Sequence, residues 1–257
     1  MDMPVVILCG GEGTRMKEET EFKPKPLVNV GNKPIIWHIM KIYSHYGYKQ
    51  FILALGYKGW DIKQYFLNSQ AYNNDFRLNT QNGDTNYLSN GQPDDFQITF
   101  AETGLKTNTG ERVRQVAKYI DSDNFMLTYG DAVSNVNIDE LIKFHNSHDK
   151  LITITGVHPP SKWGQLTVGK NMIVNEFKQK PRLTDYVNGG FMIMRREVLD
   201  LLEPDIMIED DIIRLSKKGQ VVVFEHNGFW QAMDTYAEMK DLNKIWEEKS
   251  PWKVWAK

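Results

Sequence analysis

One cysteine, Cys9, occurs in a chain of 257 residues. That excludes an internal disulfide framework and fits a reducing compartment. Long apolar runs are missing too. None approaches the roughly 20 residues that a membrane span needs, and Met1-Asp2-Met3-Pro4 leads into Val5 without a basic leader. Both absences place the chain in the cytoplasm and argue against a membrane partner. Neither sign of charge is in excess: 31 Lys and Arg stand against 33 Asp and Glu, a net charge of -2, so electrostatics make no case for a nucleic-acid partner. The six histidines show no ligand spacing. Linker composition and internal repeats are also lacking, so residues 1–257 read as one continuous domain, long enough for a substantial core.

What is present is an alternation of short apolar runs and amphipathic segments. Pro4–Leu8 is a β-branched run ending in glycines, a buried strand feeding a loop. The segment PIIWHIMKIYSHYG, with Ile35, Ile36, Ile39, Met40 and Tyr43 on one face and Gly47 after its end, predicts a helix. Strands are expected at Gln50–Leu55, Phe96–Glu102, Asn124–Asp131 and Leu151–Val157, with helices between them. The fold class is therefore α/β: a Rossmann-like, mostly parallel sheet flanked by helices, with ligands at the carboxyl ends of its strands. Residues 68–95, rich in Asn, Gly, Gln and Asp, break the pattern as an inserted loop with room for a hairpin, read equally as a lid, an oligomer contact or a solvated excursion. After Val157 the pattern is mixed: short strands near Gln165–Val168, Ile173–Phe177 and Gly190–Met194, helices near Val198–Leu202 and Glu209–Lys217, a returning strand at Val221–His226 and a closing helix.

The chemistry starts in LCGGEGTRMKEETEFKPKPL, Leu8 to Leu27. A glycine-rich loop after a first strand can hold phosphate through backbone N–H groups. The P-loop motif does not match, because Lys-Ser/Thr does not follow the glycines. The dinucleotide fingerprint does not match either, because a third glycine near Arg15 or Met16 and an acid after the second strand are missing. Redox chemistry on a dinucleotide is thereby disfavoured. What remains is Gly11-x-Gly13-Thr14-Arg15 and, further on, Lys25 between Pro24 and Pro26. The glycines admit a polyphosphate close to the backbone. Arg15 offers a forked donor, and Lys25 a point charge held by stiff neighbours.

Gly-x-Gly-Thr-Arg with a downstream Lys resembles the signature of the sugar nucleotidyltransferases, which couple a nucleoside triphosphate to a sugar 1-phosphate and release pyrophosphate. The strings GYKG, TYGD, NGGF, GFWQAMDT and PWKVW resemble the glucose-1-phosphate cytidylyltransferase branch over nearly the whole chain. The resemblance implies a GT-A-like nucleotidyltransferase fold and homo-oligomers. It makes residues 1–150 mainly nucleotide-binding and 151–257 the acceptor side. It assigns CTP to Leu8, Gly10, Gly11, Glu12, Gly13 and Thr14, and to Thr107, Arg112 and Gly130. Arg15 and Lys25 become catalytic.

Two acids are metal candidates. Asp131 ends a predicted strand at the ligand edge. Asp234 precedes the last helix, where it could equally be an N-cap beside Thr235. The resemblance implies that both hold Mg²⁺ bridging the triphosphate. Glu209, Asp210 and Asp211 read instead as charges at a helix start. On the acceptor side, the resemblance places Gln179, Lys180, Asn188 and Gly189 around a small phosphorylated acceptor. Gln179 stands where the family carries a glutamate, Trp163-Gly164-Gln165-Leu166 replaces FGAL, and GDAVSNV replaces GDGVSDV. An amide still accepts a hydrogen bond but has lost the charge. The expected reaction is an in-line displacement on CTP by the acceptor phosphate. Glucose 1-phosphate is the first acceptor; another sugar 1-phosphate, or a non-sugar phosphate such as phosphoglutamine, is the alternative. A non-catalytic nucleotide sensor on the same fold would be expected to lose Lys25 or an aspartate, and none is lost.

Overall fold

A computed structural model describes residues 3–88 and 93–256. Its centre is a sheet of seven strands and one two-residue extension. The strands are β1 (Val5–Cys9), β2 (Gln50–Leu55), β3 (Gln97–Glu102), β4 (Asn124–Tyr129), β5 (Ile152–Val157), β6 (Met192–Arg195) and β7 (Val221–His226). Their spatial order is β7-β5-β6-β4-β1-β2-β3, and Val187–Asn188 pairs with the end of β5. The β4–β1–β2–β3 block is parallel, as is β5–β7, while β6 runs antiparallel to both neighbours. The expected mixed, mostly parallel sheet is what is found.

Among the described residues the longer helices are α1 (Ile35–His45), α2 (Gly59–Leu67), α3 (Thr109–Val116), α4 (Ile138–Asn146), α5 (Ile208–Ser216) and α6 (Tyr236–Glu248). Alternation along β1 separates the two cores. Val5, Ile7 and Cys9 face α1, where Ile35, Ile39 and Met40 are fully buried. Val6 and Leu8 face α3 and α5 through Val113, Val116 and Ile208. The chain moves outward through β2 and β3, then returns to place β4 on the other side of β1. The reversal leaves a crevice at the carboxyl ends of β1 and β4, the usual ligand position in such sheets.

Some elements depart from the expected boundaries. The strand expected over Asn124–Asp131 ends at Tyr129, and Asp131 lies in the turn that follows. Residues 198–202 fall mostly in a 3₁₀ turn, Arg196–Asp200. The inserted stretch does hold a hairpin, Phe76–Leu78 with Thr85–Tyr87. Residues 89–92 of that stretch lie outside the described ones.

The carboxyl-terminal PWKVW closes the α1 face. Trp252 is fully buried and its indole N–H donates to His38 Nδ1 at 3.3 Å. His38 Nε2 lies 2.9 Å from the Val30 carbonyl, so it carries the proton in the neutral ring. A second proton would point Nδ1–H at an indole N–H. Burial, the largest cause, pushes the His38 pKa down to about 4. Burial likewise lowers His145 to about 4. A depressed histidine stabilises the fold fully above its unfolded pKa near 6.5 and loses that contribution as the pH falls toward the folded value. We predict that thermal melts between pH 7 and pH 4 show stability falling at up to about 1.4 kcal/mol per pH unit for each histidine. His38→Gln should give a shallower slope; an unchanged slope would remove His38 as its source.

Candidate active site

The loop after β1 is shaped from below. Arg112, in α3, is 3% exposed and inserts its guanidinium under the glycines. Its Nη1 donates to Leu55 O (3.0 Å), Thr103 Oγ1 (2.7 Å) and Gly104 O (2.8 Å). Its Nη2 donates to Gly10 O (3.2 Å) and Leu105 O (3.3 Å). The arginine expected to contact the nucleotide thus directs both terminal nitrogens to four backbone carbonyls and one threonine hydroxyl. It lines the cavity as a structural floor. Glycine at position 10 follows from this, since a Cβ there would overlap the guanidinium. Gly13 has φ +63°, and its carbonyl accepts from Met16 N and Thr20 Oγ1. A Cβ at Gly11 would meet no protein atom within 4 Å. That position is open toward whatever the loop binds.

Four charges converge at the mouth of the crevice. Lys25 begins a 3₁₀ turn between Pro24 and buried Pro26. Its ammonium donates to Asp131 Oδ2 at 2.6 Å and to Asp234 Oδ1 at 2.8 Å. Arg15 adds a forked pair to Asp234, Nη1–Oδ2 at 3.1 Å and Nη2–Oδ1 at 2.9 Å. Burial alone would lower the Lys25 pKa, but the two carboxylates more than offset it and hold it above the ordinary lysine value. For Asp234, burial is again outweighed, here by Lys25 and Arg15, and its pKa lies below the usual carboxylate range.

The backbone brings the two aspartates together. Ala132–Ser134 pairs antiparallel with Trp230–Ala232, and Met233 N donates to Asp131 O at 2.8 Å. Asp234 is not the helix cap. Thr235 takes that role in a reciprocal capping box with Glu238, whose carboxylate also accepts from Asp234 N at 2.8 Å. The Asp234 side chain is therefore free for Lys25. Among the described residues no three His, Cys, Asp or Glu side chains gather as a closed metal cage. Two convergent carboxylates beside a phosphate-sized opening are the donor set that Mg²⁺ takes when the substrate supplies the remaining oxygens. Asp131 and Asp234 fit such an ion.

Two cavities meet at Asp234. The first, about 390 Å³, is walled by Leu8, Gly10, Gly11, Gly13 and Thr14, by Arg15 and Lys25, and by Thr107, Arg112, Gly130, Asp131 and Asp234. Nearly every residue assigned to the nucleotide gathers there. Glu12 does not line it. Gly130 is required by packing, since a Cβ would lie 2.9 Å from Leu8 O. The second cavity, about 1080 Å³, carries Lys180, Trp163, Arg182 and Trp230 and shares Asp234 with the first. Lys180 is exposed and adopts φ +49°. Gln179, Asn188 and Gly189 line neither cavity. Gly189 is buried and its carbonyl accepts from Trp230 Nε1 at 2.7 Å, while Asn188 Nδ2 reaches Tyr129 Oη at 3.4 Å.

Sequence reasoning missed Tyr129 and Glu209, which meet in the first cavity with Oη–Oε1 at 2.6 Å. Burial, then the Glu209 carboxylate, push the Tyr129 phenol well above its ordinary pKa. Of the three acids starting α5, Asp210 is exposed and Asp211 is buried against Arg214 at 2.5 Å; only Glu209 turns into the site. Linear sequence carries no signal that separates them.

A glycine-rich first turn, a clamped lysine and paired aspartates at the reversal point of this sheet define a nucleotidyltransferase. The chain belongs to the nucleotidyl transferase family, whose model matches residues 4–235. It is 44% identical over 257 residues, 98% of this chain and 100% of the relative, to a Bacillus subtilis protein named "Probable glucose-1-phosphate cytidylyltransferase". It is 40% identical over 258 residues, with the same coverage, to the glucose-1-phosphate cytidylyltransferase of Salmonella typhimurium. Among solved structures it shares its fold with HddC from Yersinia pseudotuberculosis complexed with GMP-PN (TM-score 0.68, 22% identity, 95% and 99% coverage). The inositol-1-phosphate CTP transferase from T. maritima is similar in the same sense (TM-score 0.64, 17% identity, 96% and 97% coverage).

The two glycines separate protein packing from ligand approach. We predict that Gly10→Ala costs about 1–3 kcal/mol of stability through overpacking against Arg112. Gly11→Ala should melt within about 0.5 kcal/mol of wild type yet lose nucleotide affinity. Thermal melts with and without nucleotide check both; retained affinity in Gly11→Ala would mean that the loop does not approach the phosphates.

Proposed function

We propose that this chain is a cytoplasmic cytidylyltransferase that joins CTP to glucose 1-phosphate, giving CDP-glucose and pyrophosphate for surface-polysaccharide synthesis. The observation that carries this reading is the quartet of Arg15, Lys25, Asp131 and Asp234, of which Asp234 lines both cavities. The full-length identity to glucose-1-phosphate cytidylyltransferases supports CTP and the sugar phosphate as the pair. The whole chain then acts as one catalytic unit, in a homo-oligomer.

The reaction is an in-line displacement. An oxygen of the acceptor phosphate forms a bond to the α-phosphorus of CTP as the bond to the pyrophosphate oxygen breaks. The attacking phosphate is already anionic, so no covalent enzyme intermediate and no general base are required. The chain's work is positioning and charge compensation. Gly11 and Gly13 let the backbone approach the triphosphate. Lys25 lies beside the α-phosphorus, Arg15 faces the departing pyrophosphate, and Lys180 draws the acceptor phosphate in from the second cavity. Asp131 and Asp234 would hold Mg²⁺, which supplies charge neutralisation on the triphosphate when bound. The need for it follows from the quartet itself: two cations against two carboxylates leave no net positive charge for a polyanion.

A different acceptor is the second reading, and two observations favour it. Gln179 stands where the resemblance implies a glutamate, and the second cavity, about 1080 Å³, has Trp163 and Arg182 in its wall. Phosphoglutamine is such an acceptor. A pyrophosphate-release screen crossing CTP, UTP, ATP and GTP with sugar 1-phosphates and phosphoglutamine decides between the readings. Turnover of CTP with glucose 1-phosphate is expected; turnover confined to a non-sugar phosphate would transfer the assignment. In the same assay Lys25→Ala should lower kcat/KM more than tenfold, a loss above about 1.4 kcal/mol of transition-state stabilisation. A smaller loss would end the central role given to Lys25.

A further inference from the structure

The cavity that holds Arg15 and Lys25 also has Glu209 in its wall, an acid outside the quartet. Glu209 is half-buried in the first turn of α5, across from Thr107 and Thr109. Among the described residues it forms no ion pair. Two chains of hydrogen bonds end on it instead. Ile208 N donates to Thr109 Oγ1 at 2.9 Å, and that hydroxyl donates to Glu209 Oε2 at 3.2 Å. Asn188 Nδ2 donates to Tyr129 Oη at 3.4 Å, and the phenol donates to Glu209 Oε1 at 2.6 Å. An ionised carboxylate can only accept, so each hydroxyl that meets it is the donor; Thr109 Oγ1 also lies 3.8 Å from Met207 Sδ. Both chains therefore converge on Glu209 as an acceptor.

A carboxylate offers about four acceptor positions, and these contacts use two. What remains can only accept. A bare carboxylate in the cavity of a polyanion repels the ligand unless it meets a donor, so its cost has to be returned by a specific contact. With the triphosphate at Arg15 and Lys25, the part of the cavity walled by Thr107, Thr109, Tyr129 and Glu209 is left for the nucleoside. The pyrimidine bases differ at that edge: cytosine presents a 4-amino donor where uracil presents an oxygen acceptor.

We infer that Glu209, braced by Tyr129 and Thr109, reads the 4-amino group of cytosine and so makes the site select CTP over UTP. The inference rests on the reading of this cavity as the nucleotide site. It assigns a specificity-determining role to a residue whose sequence position suggests only a helix-start charge.

The test compares wild type, Glu209→Gln and Tyr129→Phe with CTP and UTP, by equilibrium titration without acceptor and by kcat/KM with it. Glu209→Gln is nearly isosteric, and its amide can donate to the uracil oxygen. Its CTP-to-UTP ratio should fall about tenfold or more, with the change in KM and in the dissociation constant while kcat on CTP stays near wild type. Tyr129→Phe keeps the acid but removes one brace, and the ratio should fall by less. If one variant does not fold, the other still decides. A wild-type protein without CTP preference, or variants in which both nucleotides weaken equally, would overturn the assignment. Failure of the functional reading looks different: wild type would bind neither nucleotide.

Discussion

The ammonium of Lys25, held between Asp131 and Asp234, ties the loop after β1 to two segments that the backbone already pairs, the turn after β4 and the stretch leading into α6. Its side chain is only 12% exposed. A charge withdrawn from water to that extent is tolerable only with partners in good geometry. Those partners are fixed by backbone: Met233 N on Asp131 O, and the Glu238 carboxylate on Asp234 N. The cost of assembling like charges around a phosphate site is thus met in folding rather than at the moment of reaction, which is the physical meaning of a preorganised site.

Two arginines show how position decides use. Arg15 stands on an exposed 3₁₀ turn and meets one carboxylate, so it remains available to an incoming anion. Arg112 lies beneath the glycines and satisfies its guanidinium with carbonyls of Leu55, Gly104, Leu105 and Gly10. It ties β1, β2 and the segment before α3 into one platform. The glycine at position 10 and this arginine form one packing unit, while Gly11 is left open to the ligand. The glycines of one short loop therefore serve unlike purposes.

Much of the fold was legible because burial imposes period. The strands at Gln50–Leu55 and Val221–His226 and the helix beginning at Ile35 lie where apolar spacing puts them. Direction is less visible. Nothing in the local run around Met192–Arg195 distinguishes the antiparallel strand from its parallel neighbours, because a strand buried on both faces is apolar whichever way it runs. The candidate site was legible where motif and chain position coincide, at Gly11, Gly13, Arg15, Lys25 and Asp131. It was not legible where the decisive fact is a long-range neighbour. By local spacing alone Arg112 on an amphipathic helix looks solvated and Asp234 beside Thr235 looks like a cap, and only the family resemblance singled them out; the capping box leaves Asp234 free.

By itself the sequence determined the alternation of strands and helices, the glycine-rich first loop with its Arg15 and Lys25, and the acids that stand near it. These are properties of local spacing and residue chemistry, and they survive in one dimension. Only the tertiary structure decided that Asp131 and Asp234 share one ammonium, that Arg112 is buried beneath the glycine loop and bonded to its carbonyls, and that Glu209 alone of three consecutive acids turns inward beside Tyr129. Each of these depends on contacts across 80 to 209 positions of chain. Such contacts arise from sheet order and strand pairing, which no window of neighbouring residues encodes.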